Sequence, residues 1–350
     1  MKSQTPFAAF SANTVNSPPD APLLSVEGLQ TVFTLADGRD AAAVSDLSLS
    51  LRRGETLGLV GESGCGKSVT ALSILRLVMP PGRITAGRIV FDGRDLLTLD
   101  EPALRKIRGR RIGFVFQEPM VALNPVYTIG RQIAETVAVH GLARGAAAKA
   151  RAVEWLEAAR VPEPARRARE YPHQLSGGLR QRAMIALALC ANPALLIADE
   201  PTTALDVTVQ AEILDLLRDL RASLGLALLL ITHDLGVVAE MADRVAVMYG
   251  GRIVEDGPVS AVFHSPAHPY TRGLLACLPD ATRGHRLVAI GGTVPSLGHF
   301  PPGCAFAPRC GDRLEECSVA PPGITALSGD SGTGRTVRCY LHQPSSGGGA

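Results

Sequence analysis

Residues 61–68 read Gly61-Glu62-Ser63-Gly64-Cys65-Gly66-Lys67-Ser68, a complete G-x-x-x-x-G-K-[ST] series. Its chemistry is phosphate binding. Glycines let successive backbone N–H groups curl around phosphate oxygens without Cβ clashes. A helix opening at Lys67 and continuing through Val69 adds the partial positive charge of its N-terminus. Lys67 would bring a compact charge to the β- and γ-phosphates, and the Ser68 hydroxyl would ligate Mg²⁺. A second constellation is the apolar run Ala194–Ala198 ending in Asp199-Glu200-Pro201. Asp199 is placed to hold the metal, directly or through water. Glu200 is placed as general base on an attacking water. The apolar run Leu226–Thr232 ends in the same way, at His233-Asp234. His233 is a candidate for contact with the γ-phosphate and for holding Glu200. A fourth series, Leu175-Ser176-Gly177-Gly178-Leu179, precedes a helical stretch to about Leu189. Ser176 is a good N-cap, and the two glycines bare a second helix N-terminus for an anion. It carries no lysine and no metal ligand.

These residues need a scaffold that brings them to one edge. The apolar runs 194–198 and 226–232 are continuous rather than alternating, as in parallel strands covered on both faces. Glu55–Val60 predicts the strand before the phosphate loop, and a helix follows from about Lys67 to Met79. Further helices are predicted over Gln132–His140, Ala146–Ala159 and Val209–Ser223. Two short strands are predicted at Leu23–Val26 and Gly28–Leu35. The β-α-β rhythm gives a parallel α/β sheet, whose ligands bind beyond the carboxyl ends of the strands. Residues 1–20 read as a flexible tail, and after about Pro258 the texture turns to Pro, Gly, His and Cys.

Composition narrows the choice further. The chain has 350 residues, 46% hydrophobic and 19% charged, which excludes wholesale disorder. A net charge of +2 and 4% aromatics leave no nucleic-acid footprint. Mean hydropathy is +0.16, yet no apolar stretch reaches the roughly 18 residues of a membrane span. No signal peptide is read at the start, so a cytosolic chain is expected, with apolar surface to spare for partners. Lysine stands only at positions 2, 67, 106 and 149, while arginine fills the other 31 basic positions.

Taken together, residues 61–68, Gln117, the LSGGL series 175–179, the ADEP strand end, the TALD206 loop and His233 resemble the nucleotide-binding subunit of an ABC transporter. The resemblance covers about residues 22–270. It implies a P-loop NTPase cassette of the α/β class. That cassette has a RecA-like parallel-sheet core, an antiparallel β subdomain and a helical subdomain at about 95–180. The cassette would span 21–258, with a small Cys-rich extension over 259–350. It implies ATP and Mg²⁺ as ligands, with Ser68, Gln117 and Asp199 around the metal. Gln117 would also report site occupancy to the helical subdomain. Two cassettes would pair head to tail, each ATP lying between one subunit's phosphate loop and the other's Leu175–Leu179 series. Asp206 would communicate between sites, and Phe33 would stack on adenine. Cys65 is expected to be a filler with a depressed thiol pKa, so that alkylation blocks ATP binding.

Within that family, Phe116–Pro125, Tyr171–Ser176, the ADEPTTALDVTVQA segment and His268–Leu275 resemble importers of di- and oligopeptides, and related nickel importers. The resemblance implies two permease subunits, a paralogous ATPase or a second copy of this chain, and an external solute-binding protein. It implies a peripheral place on the cytoplasmic face of the bacterial inner membrane. Nickel, an opine or a sugar-like solute are alternative cargoes. A non-transport ABC ATPase is the reading from another class. Cys304, Cys310, Cys317 and Cys339 crowd the end of the chain, at intervals of 6, 7 and 22 residues. Grouped thiols in a cytosolic chain point to metal more than to disulfides. A four-iron four-sulfur cluster, which the tail also implies by resemblance, stands beside zinc and simple reduced thiols.

Overall fold

Continuous apolar runs become strands buried on both faces, and the computed structural model forms them where the sequence has such runs. It describes residues 21–277, 290–327 and 334–343. The expected tail over 1–20 lies outside the described residues. The chain divides into two interleaved compact units. Of the described residues, the first comprises 21–24, Leu51–Thr56 and Phe91–Ile231; the second comprises Ser25–Ser50, Leu57–Val90 and those from Thr232 onward.

In the first unit, Leu195–Asp199 is flanked by two parallel strands, Ile112–Val115 and Ala227–Thr232. The register places Asp199 opposite Ile231. Every residue of Leu195–Asp199 and Ala227–Thr232 is buried, which accounts for the unbroken apolar runs. The helix Gly177–Leu189 crosses closely over Ile112–Val115. A Cβ on Gly113 would lie 2.5 Å from the Ala188 carbonyl oxygen, so only glycine fits that crossing. The helices Ile129–Val139 and Gly145–Ala158 pack on each other and on Gly177–Leu189. The single tryptophan, Trp155, is buried among them.

In the second unit, Thr56–Val60 runs parallel to Arg244–Tyr249, with Leu57 opposite Arg244 and Val60 opposite Val247. Arg252–Pro258 pairs antiparallel with Arg244–Tyr249, and a register shift falls between Ile253 and Glu255. Two two-residue strands from the chain end, Thr336–Val337 and Thr325–Ala326, extend this sheet. The extension is thus built onto the sheet that carries the phosphate loop. Its core is shared as well: Tyr270 and Phe306 pack on Tyr249 with ring centroids 4.6 and 5.2 Å away. A separate sheet sets Leu24–Thr34 between Asp40–Leu51 and Gly82–Phe91.

Differences from the sequence reading are local. The two runs at 23–35 form one strand, Leu24–Thr34, because Gly28 takes φ +55 within it and donates its N–H to the Ser48 hydroxyl. The helix after the phosphate loop covers Lys67–Ile74 and stops short of Met79. Arg76 turns to φ +52 there, and the Leu77 N–H closes the turn onto the Leu72 carbonyl. The strands Asp40–Leu51, Gly82–Phe91 and Arg252–Pro258 were not read from the sequence.

Candidate nucleotide site

The buried strand Thr56–Val60 delivers the chain into the loop, and the helix Lys67–Ile74 takes it out. Gly66 caps that helix at φ 106 and ψ 6. A Cβ there would sit 2.4 Å from the Ala43 carbonyl oxygen, and one on Gly61 would sit 2.2 Å from that of Met248. Both positions therefore require glycine, for space and, at Gly66, for a left-handed backbone. Lys67 is 5% exposed. Its Nζ donates to the carbonyl oxygens of Gly61 at 2.8 Å and Glu62 at 3.1 Å. The ammonium is thus held over the mouth of its own loop. Ser63 and Gly64 form the exposed rim, and Ser68 and Val69 are half-buried at the helix start.

Cys65 does not behave as expected. It is 1% exposed, and desolvation by burial pushes its thiol pKa up, outweighing the opposing pull of Lys67. A thiol so placed is a packing group rather than a reactive one. Glu62 also departs from a simple phosphate-facing role. Its N–H donates to the Tyr270 hydroxyl at 2.9 Å, and its carboxylate accepts two bonds from Arg309. Phe33 is half-buried in Leu24–Thr34, and its ring edge lies against Gly82, where a Cβ would come within 2.6 Å of it.

The other expected groups are positioned within the first unit, apart from His233. Asp199 ends its strand 5% exposed. Glu200 follows at φ 46, a left-handed backbone that costs a non-glycine residue about 1–3 kcal/mol. Its carboxylate accepts from Gln117 Nε2 at 3.1 Å and from Thr203 Oγ1 at 2.8 Å. The structure thus brings Gln117 and Glu200 together, 83 residues apart in sequence. Thr203 was missed by sequence reasoning; a hydroxyl three residues after the acid was its only signal. His233 is exposed at the end of Ala227–Thr232, and Asp234 beside it caps the helix Leu235–Met241 through the Gly236 and Val237 N–H groups.

Ser176 caps Gly177–Leu189, accepting from the Leu179 N–H at 3.4 Å. Leu175 is buried and anchors the approach, while Ser176 and Gly177 are exposed. A Cβ on Gly178 would press on Val209 at 2.8 Å, so this glycine also sets the fit of Gly177–Leu189 against Val207–Leu224. Asp206 caps Val207–Leu224, its Oδ1 accepting from the Val209 N–H at 2.9 Å. The presented end of the Leu175–Leu179 series is a helix N-terminus of thirteen residues with free glycine surface.

The four late cysteines line one small pocket with His268, Phe306 and Tyr340. Burial pushes the thiols of Cys304, Cys310 and Cys339 up, Cys339 to about 11. The donor set suits a thiolate-bound group. Its geometry is not closed on one: among the described residues no group of three or more His, Cys, Asp or Glu is arranged to hold a metal ion.

A family model described as ABC transporter matches residues 44–203. One described as the C-terminal region of oligopeptide/dipeptide transporters matches residues 254–317. A putative peptide import ATP-binding protein of Brucella abortus (strain 2308) is 54% identical over 331 residues, covering 91% of this chain and 97% of its own. One from Brucella suis biovar 1 (strain 1330) is 52% identical over 325 residues, covering 93% and 96%. Among solved structures, an ATP-binding cassette in a dimeric post-hydrolysis state bound to ADP and phosphate is 30% identical with TM-score 0.61. It aligns with 67% of this chain and 98% of its own. A protein from Clostridium perfringens, part of an ABC transporter complex, is 28% identical with TM-score 0.60 and covers 70% of this chain and 92% of its own. The chain belongs to the ABC transporter family, as an ATP-hydrolysing cassette. Within that family it is similar to the peptide import ATP-binding proteins, over nearly their whole length.

Proposed function

We propose that this chain is the energy-coupling subunit of an importer for di- and oligopeptides. The observation that carries the reading is the joint presence in this chain of the cassette and the oligopeptide-type C-terminal region, together with relatives named for peptide import that match 91–93% of it. In this reading the chain sits peripherally on the cytoplasmic face of the inner membrane. Among the described residues no helix is long and apolar enough to cross a membrane. The partners would be two permease subunits, a paralogous ATPase or a second copy, and an external solute-binding protein. The cassette would occupy 21–258 and the extension 259–350.

The residues divide the work on MgATP. Gly61–Val69 would wrap the phosphates, and Lys67 would turn from its own carbonyls to the β- and γ-phosphates. Ser68, Asp199 and Gln117 would hold the metal, and Glu200 would take the proton of the attacking water. His233 would steady the γ-phosphate, Phe33 would stack on the base, and Asp206 would link paired sites. Leu175–Leu179 would close on the nucleotide of the paired cassette. Mg²⁺ supplies charge neutralisation at the phosphates. The test is reconstitution with the permease pair and solute-binding protein in lipid nanodiscs. ATP turnover is expected to rise severalfold with di- and oligopeptides; a response to nickel or sugars alone would overturn the cargo, and failure to assemble with any permease would overturn the transporter reading.

A second reading concerns the thiol pocket. Four thiols lining one pocket supply the donor number for a four-iron four-sulfur cluster, which would have to draw them closer than they now stand. Anaerobically purified protein is expected to carry iron and acid-labile sulfide in equal amounts. Protein that is stably folded, colourless and iron-free would rule the cluster out.

A further inference from the structure

Arg309 joins the C-terminal region to the phosphate loop. It closes the short 3-10 helix Ala307–Arg309, one residue before Cys310. Its guanidinium meets Glu62 as a fork, Nη1 to Oε2 at 2.5 Å and Nη2 to Oε1 at 3.0 Å. Two further donors hold the fork still: Nε donates to the Gly291 carbonyl at 2.9 Å, and Nη1 also reaches the Tyr249 hydroxyl at 3.3 Å. The Arg309 side chain is 5% exposed and that of Glu62 is 27% exposed. Tyr270, fully buried, grips the same residue by its backbone, accepting the Glu62 N–H.

The placement of Glu62 poses a physical problem. A carboxylate directly after Gly61 sits in a loop built to receive a triphosphate, and like charges there repel. The Glu62 side chain is held from the C-terminal region instead, its carboxylate by Arg309, while Tyr270 holds its N–H. We propose that Arg309 is a positioning residue for nucleotide binding: it neutralises Glu62, draws its carboxylate away from the phosphate site and fixes the first turn of the loop. A planar fork does this better than a point charge, because two parallel bonds set direction as well as distance. The inference rests on the loop being the ATP site, and it gives the C-terminal region a direct part in ATP affinity.

The test is equilibrium binding of a fluorescent ATP analogue with Mg²⁺ to the full chain. It is run beside KM and kcat for ATP in the assembled transporter. Arg309→Ala leaves the Glu62 carboxylate unpaired and is expected to weaken binding about tenfold, in KM far more than in kcat. Glu62→Asp, one methylene too short for the fork, keeps the charge near the phosphates and is expected to weaken binding severalfold. Glu62→Gln removes the charge and is expected to bind better than Glu62→Asp. Arg309→Ala combined with Glu62→Gln is expected to recover most of the loss. A merely structural role predicts no such rescue, so absence of rescue in a folded double variant overturns the proposal. Should Arg309→Ala fail to fold, the order of the two Glu62 variants decides it: Glu62→Asp binding as well as wild type or better than Glu62→Gln overturns it. A wild-type chain that binds no nucleotide overturns the ATP-site reading itself, a result distinct from wild-type binding that these variants leave unmoved.

Discussion

Glu200→Gln is expected to lower ATP turnover at least about a hundredfold while leaving MgATP binding intact. The substitution keeps shape and removes the proton acceptor. Gln117 and Thr203 both donate to the same Glu200 oxygen, Oε2, and an amide oxygen in that place still accepts from both. The left-handed backbone at φ 46 costs glutamine about what it costs glutamate, so the turn persists. Binding without hydrolysis then accumulates the ATP-bound form. In the head-to-tail arrangement proposed for paired cassettes, that form is a dimer. Turnover is read by phosphate release, and association by size-exclusion chromatography with and without ATP. Unchanged turnover would remove Glu200 from the role of base. Lost binding would mean instead that the charge holds the turn.

The parts of this site that sequence reveals are those whose chemistry forces a local spacing. Gly61, Gly66, Lys67 and Ser68 are such a case, because phosphate must meet successive N–H groups and a helix start within eight residues. The buried strand before Asp199 is another, since a doubly covered strand has to be apolar throughout. Leu175–Leu179 is legible as a cap for the same reason: Ser176 and the helix behind it are adjacent. The contacts that escape sequence reading are those made at a distance. Nothing near Arg309 says that it reaches Glu62, 247 residues earlier. Nothing near Gln117 says that it donates to Glu200. The same limit applies to the fold. The strand Gly82–Phe91 follows a Pro-Pro pair, and most of its early residues are exposed, so no apolar alternation marks it. Cys65 misleads for a related reason. Its position by a helix N-terminus argues for a low pKa, whereas its surroundings, supplied by distant chain, bury it and raise the pKa.

Lys67→Ala is expected to weaken MgATP binding by roughly one to two powers of ten and to abolish measurable turnover. A charge-assisted bond to phosphate is worth about 1.5–3 kcal/mol, which converts to that range. The free loop makes the residue harder to replace than its charge alone suggests. Lys67 is buried, and its ammonium bridges the Gly61 and Glu62 carbonyls, so alanine removes that bridge and leaves the Glu62 carbonyl only the Cys65 N–H at 3.3 Å. Loop order and phosphate attraction fall together. Arginine restores charge without restoring fit. Its rigid fork has to replace a single ammonium that bridges two backbone carbonyls 2.8 and 3.1 Å away. Lys67→Arg is therefore expected to stay closer to Lys67→Ala than to the wild type in a fluorescent-nucleotide titration. Near-wild-type binding by the arginine variant would show that a positive charge suffices and that the compact reach of lysine is not what the loop selects. This expectation also explains why lysine persists at position 67 in a chain that otherwise builds its basic residues from arginine. Arginine serves at Arg309, where a planar fork meets a carboxylate, and lysine serves at 67, where the loop leaves room for a single compact cation.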